Sequence, residues 1–392
     1  MKLHIERDSL LQGLSRAQGI VERRSTMPIL GYCLLTAQAG ELLLAATDLQ
    51  VSFRARYPAT VPEEGSSTVP AINFFNIMRE LPPGPVNLEG MDGGRLVITR
   101  GEARYQLLGL PVDQFPPVFP AEDEPGMEVD SGILKEMIDK VIFSVSADDL
   151  QPHLNGVHWE KVTENDIMKL RLVSSDGHRL SLVDRAFPDL NSFPLDSSIL
   201  IPRKGMAEIQ RFIVDEPTCS LGLLGRHLVV KQGNKTLLVK LLEKKFPDYR
   251  RIIPSEPRLV ATVGRQEFFD ILKRLSSLSS ERFKGLRLVF HPGRLEVLYS
   301  NPEVGEGREV LPMKVEFLVD TAEGSPPPEP EDSLDLPLEI GYNARYLMEP
   351  VNAMASEEVS LQIATRRKPL CLRAVGDHDY VGIVMPMDLG EA

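Results

Sequence analysis

Three cysteines in 392 residues are too few to staple a fold together. Cys33, Cys219 and Cys371 are odd in number and far apart, which fits a reducing compartment and argues against a disulfide framework or a cysteine-ligated zinc site. Histidine is scarce as well. His153 and His158 lack the i,i+4 spacing of a helical metal pair and have no thiol or acidic partner in a known ligand pattern. No stretch reaches the ~18 apolar residues of a membrane helix. The N-terminal MKLHIERDSLL has no long apolar run, so a signal peptide is not expected and the expected location is cytoplasmic. Neither GxGxxG after a strand nor GxxxxGK[ST] occurs, so no phosphate-cradling loop is expected. No cofactor and no metal are expected.

What the chain does have is repetition, with a period of about 130 residues. Each copy opens with an amphipathic stretch: ERDSLLQGLSRAQGIV from Glu6, DSGILKEMIDKVIF from Asp130 and GRQEFFDILKRLSSL from Gly264. Each then carries a polar turn in strand-like text: ATDLQVS at Ala45, SSDGHRLSL at Ser174 and YSNPEVGEG at Tyr299. A strand end and a second helix follow: TVPAINFFNIMREL at Thr68, LIPRKGMAEIQRF at Leu200 and EIGYNARYLM at Glu339. The fold class is α+β: three repeated domains of mostly antiparallel strands with two helices each. Their expected bounds are 1–124, 125–253 and 254–392, with a Pro- and Glu-rich inserted loop at about 323–337. In the first helix Leu10, Leu14, Ala17 and Val21 form the apolar stripe and Asp8 is the expected N-cap. Ile133, Met137 and Val141 are the inward set of the third helix, with Lys135 and Lys140 outward, and Phe268, Leu272 and Leu275 that of the fifth. Pro350 is expected to shorten or kink the last.

The formal net charge is −12, which alone argues against wholesale nucleic-acid binding. Its distribution argues otherwise. The six expected helices and their ends carry Arg16, Arg23, Arg24, Arg79, Lys135, Lys140, Arg203, Lys204, Arg211, Lys273, Arg274 and Arg345, while acids gather elsewhere. Such a body could hold DNA on one face and repel it on the others, although basic residues on a helix are more often a plain solvated face.

One segment imitates catalytic chemistry. Ser175, Asp176 and His178 fall within SSDGHRL, but triads are assembled from separate segments, and Asp-Gly bounded by strand text is first a turn. The matching places in the other copies are Thr47-Asp48 and Ser300-Asn301, without histidine. A hydrolase using Asp176 and His178 is therefore an alternative reading, as is a repeat-built scaffold protein. Near the C-terminus, Val384, Met385, Pro386 and Met387 form an adaptable, methionine-rich apolar surface.

Taken together, MPILG at Met27, TVPA-x-x-FF at Thr68, LNG at Leu154, DGHRL at Asp176, PRKG at Pro202, FPDYRR at Phe246, ERFKGLRL at Glu281 and VMPM at Val384 stand in register along the whole chain. In these motifs the chain resembles the bacterial DNA polymerase III beta subunits, the replicative sliding clamps. The resemblance implies a non-catalytic homodimeric ring of six similar domains around duplex DNA, conferring processivity. It implies DNA-facing residues Arg24, Arg79, Arg203, Lys204, Arg282 and Lys284, whereas Ile72 and Asn73 stand where the family usually has basic residues. It implies a pocket between the second and third domains in which the clamp loader, the replicative polymerase and repair proteins dock short linear peptides. The matching positions are Leu154, Ser175, Gly177, His178, Arg179, Leu180, Pro247, Arg251, Ile252, Val384, Met385, Pro386 and Met387. Gln151 and Asp388 replace basic residues common near that pocket. The implied dimer seam joins Tyr105 and Leu107 of one copy to Leu275 and Leu278 of the other. No membrane partner is expected.

Overall fold

Each repeat begins with a strand that runs straight into a helix. The computed structural model describes residues 1–22, 24–117, 126–254, 256–280, 284–318 and 334–389. Among these residues there are six helices: α1 (Arg7–Ile20), α2 (Ala71–Glu80), α3 (Ser131–Val141), α4 (Arg203–Phe212), α5 (Arg265–Ser276) and α6 (Ala344–Asn352). None is long and apolar enough to cross a membrane. In α1 the buried set is Leu10, Gly13, Leu14, Ala17 and Ile20. A Cβ on Gly13 would lie 2.3 Å from the Tyr57 hydroxyl, so glycine is what lets α1 lie this close to its sheet. The expected N-cap Asp8 is instead in the first turn, because the strand Lys2–Glu6 passes directly into the helix and makes Glu6 the cap. The Asp8 carboxylate pairs with Arg7. In α3 Met137 and Val141 are buried as expected and Ile133 is only half-buried. Lys140 is buried rather than outward, since Glu136 and Asp377 lie 2.6 and 3.0 Å from its ammonium. Pro350 stands in the last turn of α6, the shortest of these helices, which ends at Asn352.

The chain divides into two compact units, one of Met1–Lys135 with Phe187–Leu242 and one of Glu136–Ala186 with Glu243–Ala392. In the first, a five-stranded sheet runs in the order Thr60–Glu63, Lys2–Glu6, Pro85–Met91, Arg95–Arg100, Ala103–Leu108. An eight-stranded sheet joins the first two repeats: Lys235–Lys240 lies antiparallel to Val51–Pro58, with Val239 opposite Val51. Helix α1 packs on α2, burying Phe74, Phe75 and Met78.

In the second unit one long sheet crosses from the second repeat to the third. Strand Arg179–Arg185 pairs antiparallel with Asp377–Val384, Arg179 opposite Val384 and Leu182 opposite Val381. The sheet continues through Leu370–Ala374, Glu358–Ile363, Leu259–Gly264 and Gly305–Phe317. Helix α5 packs on α6 and buries Phe268, Ile271, Leu272 and Leu275. Continuous sheet across a seam means that neighbouring repeats share backbone hydrogen bonds as well as apolar contacts, which makes a stiffer joint than a flexible linker.

Candidate functional site

Where the strand Ile167–Ser175 ends, Ser175 to Arg179 form a turn built almost wholly from local hydrogen bonds. Gly177 has φ +87°, a conformation that favours glycine. Asp176 Oδ1 accepts from the His178 and Arg179 amides at 3.0 and 3.1 Å. Ser175 Oγ donates to the Arg179 carbonyl at 2.7 Å and accepts from the Gly177 amide at 3.1 Å. Asp176 Oδ2 receives the Arg179 Nε at 2.9 Å. The His178 ring stacks on Tyr346, centroids 6.4 Å apart. Asp176 is thus spent on turn amides and a guanidinium, with no oxygen directed to the His178 ring. This overturns the hydrolase reading.

The turn is one wall of a cleft of about 430 Å³ lined by Ser175, Gly177, Arg179, Leu180, Arg251, Ile252, Ile253, Pro254, Lys368, Pro369, Ile383 and Met385. Arg179 is its frame. The buried guanidinium donates to Asp176, to Glu349 of α6 and to the Phe143 carbonyl, and lies over the Tyr346 and Phe143 rings at 4.5 and 5.5 Å. A charge held by two carboxylates and a carbonyl fixes the wall.

The opposite wall is the FPDYRR segment. Phe246 stacks on His158 at 5.2 Å, and the Tyr249 hydroxyl donates to Glu160, which also receives Arg250 at 2.8 Å. Burial, with Glu160 alongside, pushes the Tyr249 phenol up to about 12. Burial works to raise the Glu160 carboxyl, but hydrogen bonds from His158, Tyr249 and Arg250 outweigh it and hold it at about 2. The short 3-10 turn Tyr249–Arg251 is thereby pinned, presenting Arg251 and Ile252 to the cleft.

Of the thirteen expected pocket positions, Ser175, Gly177, Arg179, Leu180, Arg251, Ile252 and Met385 line the cleft. Leu154 and Val384 are buried and outside the lining. His178 contributes its carbonyl, which accepts from the Met385 amide at 2.9 Å. Pro247 is exposed and Pro386 half-buried, outside the lining. Met387 is held by its amide to the Gly341 carbonyl at 2.8 Å. The sequence reading missed Ile253, Pro254, Lys368, Pro369 and Ile383. The first two follow FPDYRR after Ile252, and alternation back from Met385 along the last strand marks Ile383.

The expected DNA-facing cations fall into three kinds. Arg24, Arg203 and Lys284 are exposed and make no ion pair among the described residues. Arg79 pairs with Glu80 at 3.0 Å and lies over Phe75. Lys204 is turned inward, paired with buried Asp48 and donating to the Ile20 carbonyl at 3.3 Å. Arg282 lies outside the described residues, as do Arg23 and residues 323–333 of the expected insertion. Other helix cations are offset by nearby acids: Arg16 by Asp215, Arg211 by Glu208, Arg274 by Glu309 and Arg345 by Glu349. Arg24, Ile72 and Asn73 share the rim of a second cleft with Glu22, Tyr32 and Pro70.

At the expected seam, Tyr105 is exposed and Leu107 half-buried on the strand Ala103–Leu108, the outer edge of its sheet. Leu108, which sequence reading passed over, is 66% exposed. Leu275, the inward residue expected of α5, is 4% exposed and belongs to its own unit's core, so within one chain it offers little surface to a seam. The reason is its place on the inward stripe of α5. Leu278 is half-buried. In Gly305–Phe317, residues 305–312 pair with Arg294–Asn301 and residues 313–317 with Leu259–Val263, so the first stretch has one edge unpaired within the described residues.

Glu164, Asp184 and Asp379 bring ligand atoms within 4.8 Å of one another. Arg171 already pairs with Asp184 at 2.6 Å and with Glu164, and Lys169 with Asp379 at 2.6 Å. The cluster is an ion-pair network.

Comparison with known proteins matches family models of the DNA polymerase III beta subunit along the chain: the N-terminal domain at residues 1–120, the central domain at 128–248 and the C-terminal domain at 250–326 and 328–388. The beta sliding clamp of Pseudomonas putida is 33% identical over 398 residues, covering 99% of this chain and all of that protein. The crystal structure of the DNA polymerase sliding clamp from Caulobacter crescentus superposes with a TM-score of 0.88 at 31% identity, over 99% of this chain and all of that one. The sliding clamp of Bartonella birtlesii bound to griselimycin gives 0.89 at 28% identity, with the same coverage.

Proposed function

Because the chain belongs to the DNA polymerase III beta subunit family, we propose that two copies close into a six-domain ring around duplex DNA and tether partner proteins through the Ser175–Met385 cleft. The chain is a DNA sliding clamp of DNA replication and not an enzyme. The three domains of the ring are assigned to residues 1–124, 125–253 and 254–392. The observation that carries the ring is the repetition itself, three like modules joined by strand pairing at their seams. Like modules joined head to tail apply nearly the same rotation at each joint, and closure is the natural end of that series. Three modules alone would leave too narrow a hole, since each lining helix is ~10 Å across; two chains supply six.

Two strand edges unpaired among the described residues support the homodimer. Ala103–Leu108 exposes Tyr105 and Leu108 at one sheet edge, and residues 305–312 present another. Exposed edges invite pairing, and one edge of each kind on every chain gives a two-fold dimer. Leu278 remains a seam residue in this reading, while Leu275 supports it from behind.

Inside the ring Arg24, Arg79, Arg203 and Lys284 attract phosphates without reading bases. No strong contact has to break when the clamp slides. The cleft works differently: a peptide of the clamp loader, the replicative polymerase or a repair protein buries two or three apolar anchors, each contributing ~1.5–3 kcal/mol against an association cost of several kcal/mol. The outcome is about micromolar affinity, weak enough for one partner to replace another.

Solution mass and a DNA-retention assay test the reading together. A dimer that stays on closed circular DNA and runs off linearised DNA is expected. A monomer at micromolar concentration, or equal retention on both forms, overturns it.

A further inference from the structure

The turn that walls the cleft has a twin in the first repeat. Thr47 to Val51 copy the hydrogen bonds of Ser175 to Arg179 one for one. Asp48 Oδ1 accepts from the Gln50 and Val51 amides at 2.9 and 2.6 Å. Thr47 Oγ1 donates to the Val51 carbonyl at 3.1 Å and accepts from the Leu49 amide at 3.0 Å. The Lys240 amide donates to the Gln50 carbonyl at 2.8 Å, as the Met385 amide does to that of His178. The supports match and the side chains do not. Leu49, with φ +73°, stands where the other turn has Gly177 at φ +87°, a conformation costly for a bulky residue. Its side chain is only half covered, 48% exposed. Strain held at an exposed position points to function rather than to packing.

The charge around Leu49 is of one sign. Lys240 and His227 lie directly opposite on neighbouring strands, so their side chains share a face. Burial holds the His227 ring below its ordinary value against a hydrogen bond to the Leu224 backbone, and the two charges that add to the effect, Lys240 and Arg226, are both positive. Lys240 and Arg226 are exposed, and Lys240 makes no ion pair among the described residues. The turn's own acid, Asp48, is buried and paired with Lys204. All of these residues belong to the first compact unit.

We propose that this corner is a second docking point, separate from the cleft, and that it takes an acidic protein segment with leucine-sized apolar side chains among its carboxylates. Charge complementarity selects the occupant: the carboxylates meet Arg226, His227 and Lys240 while the apolar side chains cover Leu49. A nucleic-acid strand would use the cations and leave Leu49 idle, since leucine offers no ring on which a base stacks. Gly177 leaves its turn open as a wall, whereas Leu49 makes its turn a knob, so the two sites take different surfaces.

The test uses the full-length chain and a labelled, terminally blocked peptide of leucines flanked by glutamates, with a control peptide carrying glutamine for glutamate. Fluorescence anisotropy should show the glutamate peptide binding about fivefold tighter at low salt, the gap closing toward ~1 M salt. Leu49→Gly should weaken it by about threefold or more while moving the melting temperature by no more than about 2 °C, and Leu49→Asn, polar but suited to the same backbone, should do likewise. Arg226→Glu with Lys240→Glu should abolish the preference for glutamate. Arg251→Ser with Ile252→Ser, which alters the cleft alone, should leave binding unchanged. Absence of binding, or equal binding of the two peptides, overturns the proposal. A melting temperature lowered by more than about 5 °C in both Leu49 variants makes the leucine a packing residue and overturns it too. Binding lost in the cleft variant and kept in the corner variants moves the peptide to the cleft, which sinks the corner and leaves cleft docking intact. Displacement of the peptide by a single-stranded oligonucleotide that binds Leu49→Gly as well as the parent reassigns the cations to nucleic acid and also overturns it.

Discussion

The cleft and the helix faces both present arginine and lysine, but they hold them in opposite ways. In the cleft Arg179 is buried, with two carboxylates, a carbonyl and two aromatic rings around its guanidinium. On the inner-ring candidates Arg24, Arg203 and Lys284 the charge stands in solvent with no ion pair among the described residues. A frame that must keep a shape needs its charges satisfied from within; a surface over which DNA passes needs them unsatisfied and loosely held. Lys204 shows that residue type does not decide which design a position follows. It was expected among the DNA-facing residues, yet it neutralises Asp48 and caps the end of α1.

Replacing the frame should have the largest effect. Arg179→Ala leaves Asp176 and Glu349 without their shared cation and is expected to cost about 3 kcal/mol, measured by denaturant unfolding, together with loss of peptide binding. Normal peptide affinity in this variant would mean that the cleft keeps its shape without the buried charge. Next comes Lys204→Ser, which strands the Asp48 carboxylate and should cost about 2 kcal/mol while leaving the salt dependence of DNA binding unchanged. Were the salt slope to drop and stability to hold, Lys204 would rejoin the DNA-facing group. The combined change of Arg24, Arg203 and Lys284 to serine should do the reverse: stability within about 0.5 kcal/mol and a slope of log affinity against log salt reduced by up to about three.

The smallest effect concerns acid. Glu160 pins Tyr249 and Arg250, and its carboxyl is held at about 2, below the ~4.3 of an unfolded chain. Its contribution is therefore present above pH ~4.3 and fades as pH falls toward about 2. Glu160→Gln should lower the melting temperature near neutrality and narrow the gap to the parent protein below pH 3. A gap that stays constant with pH would show that the carboxylate's charge plays no part.

Sequence carried the architecture further than the site. The amphipathic stripes of α1 and α5 were legible because their apolar residues follow a 3.6-residue period, and the Asp176-Gly177 turn because few other residues suit it. Lys140 misled because a long, charged side chain on a helix is ordinarily solvated, and its partner Asp377 lies 237 positions away. Leu275 was legible as an inward residue of α5, and only the resemblance carried it to a seam. Leu108 was passed over because alternation along an edge strand loses its meaning where one face is not covered by a core. Lys368 was invisible for a simpler reason: a turn that approaches the cleft only through the folded sheet leaves no local pattern.

The last strand is positioned by main-chain atoms, Met385 through the His178 carbonyl and Met387 through the Gly341 carbonyl. Side chains there can be exchanged without shifting the support that carries them. A lineage can thus retune which partners it recruits by swapping upholstery on an unmoving chair, and an inhibitor that grips only those side chains invites escape, whereas one bonded to the supporting amides and carbonyls leaves fewer ways out.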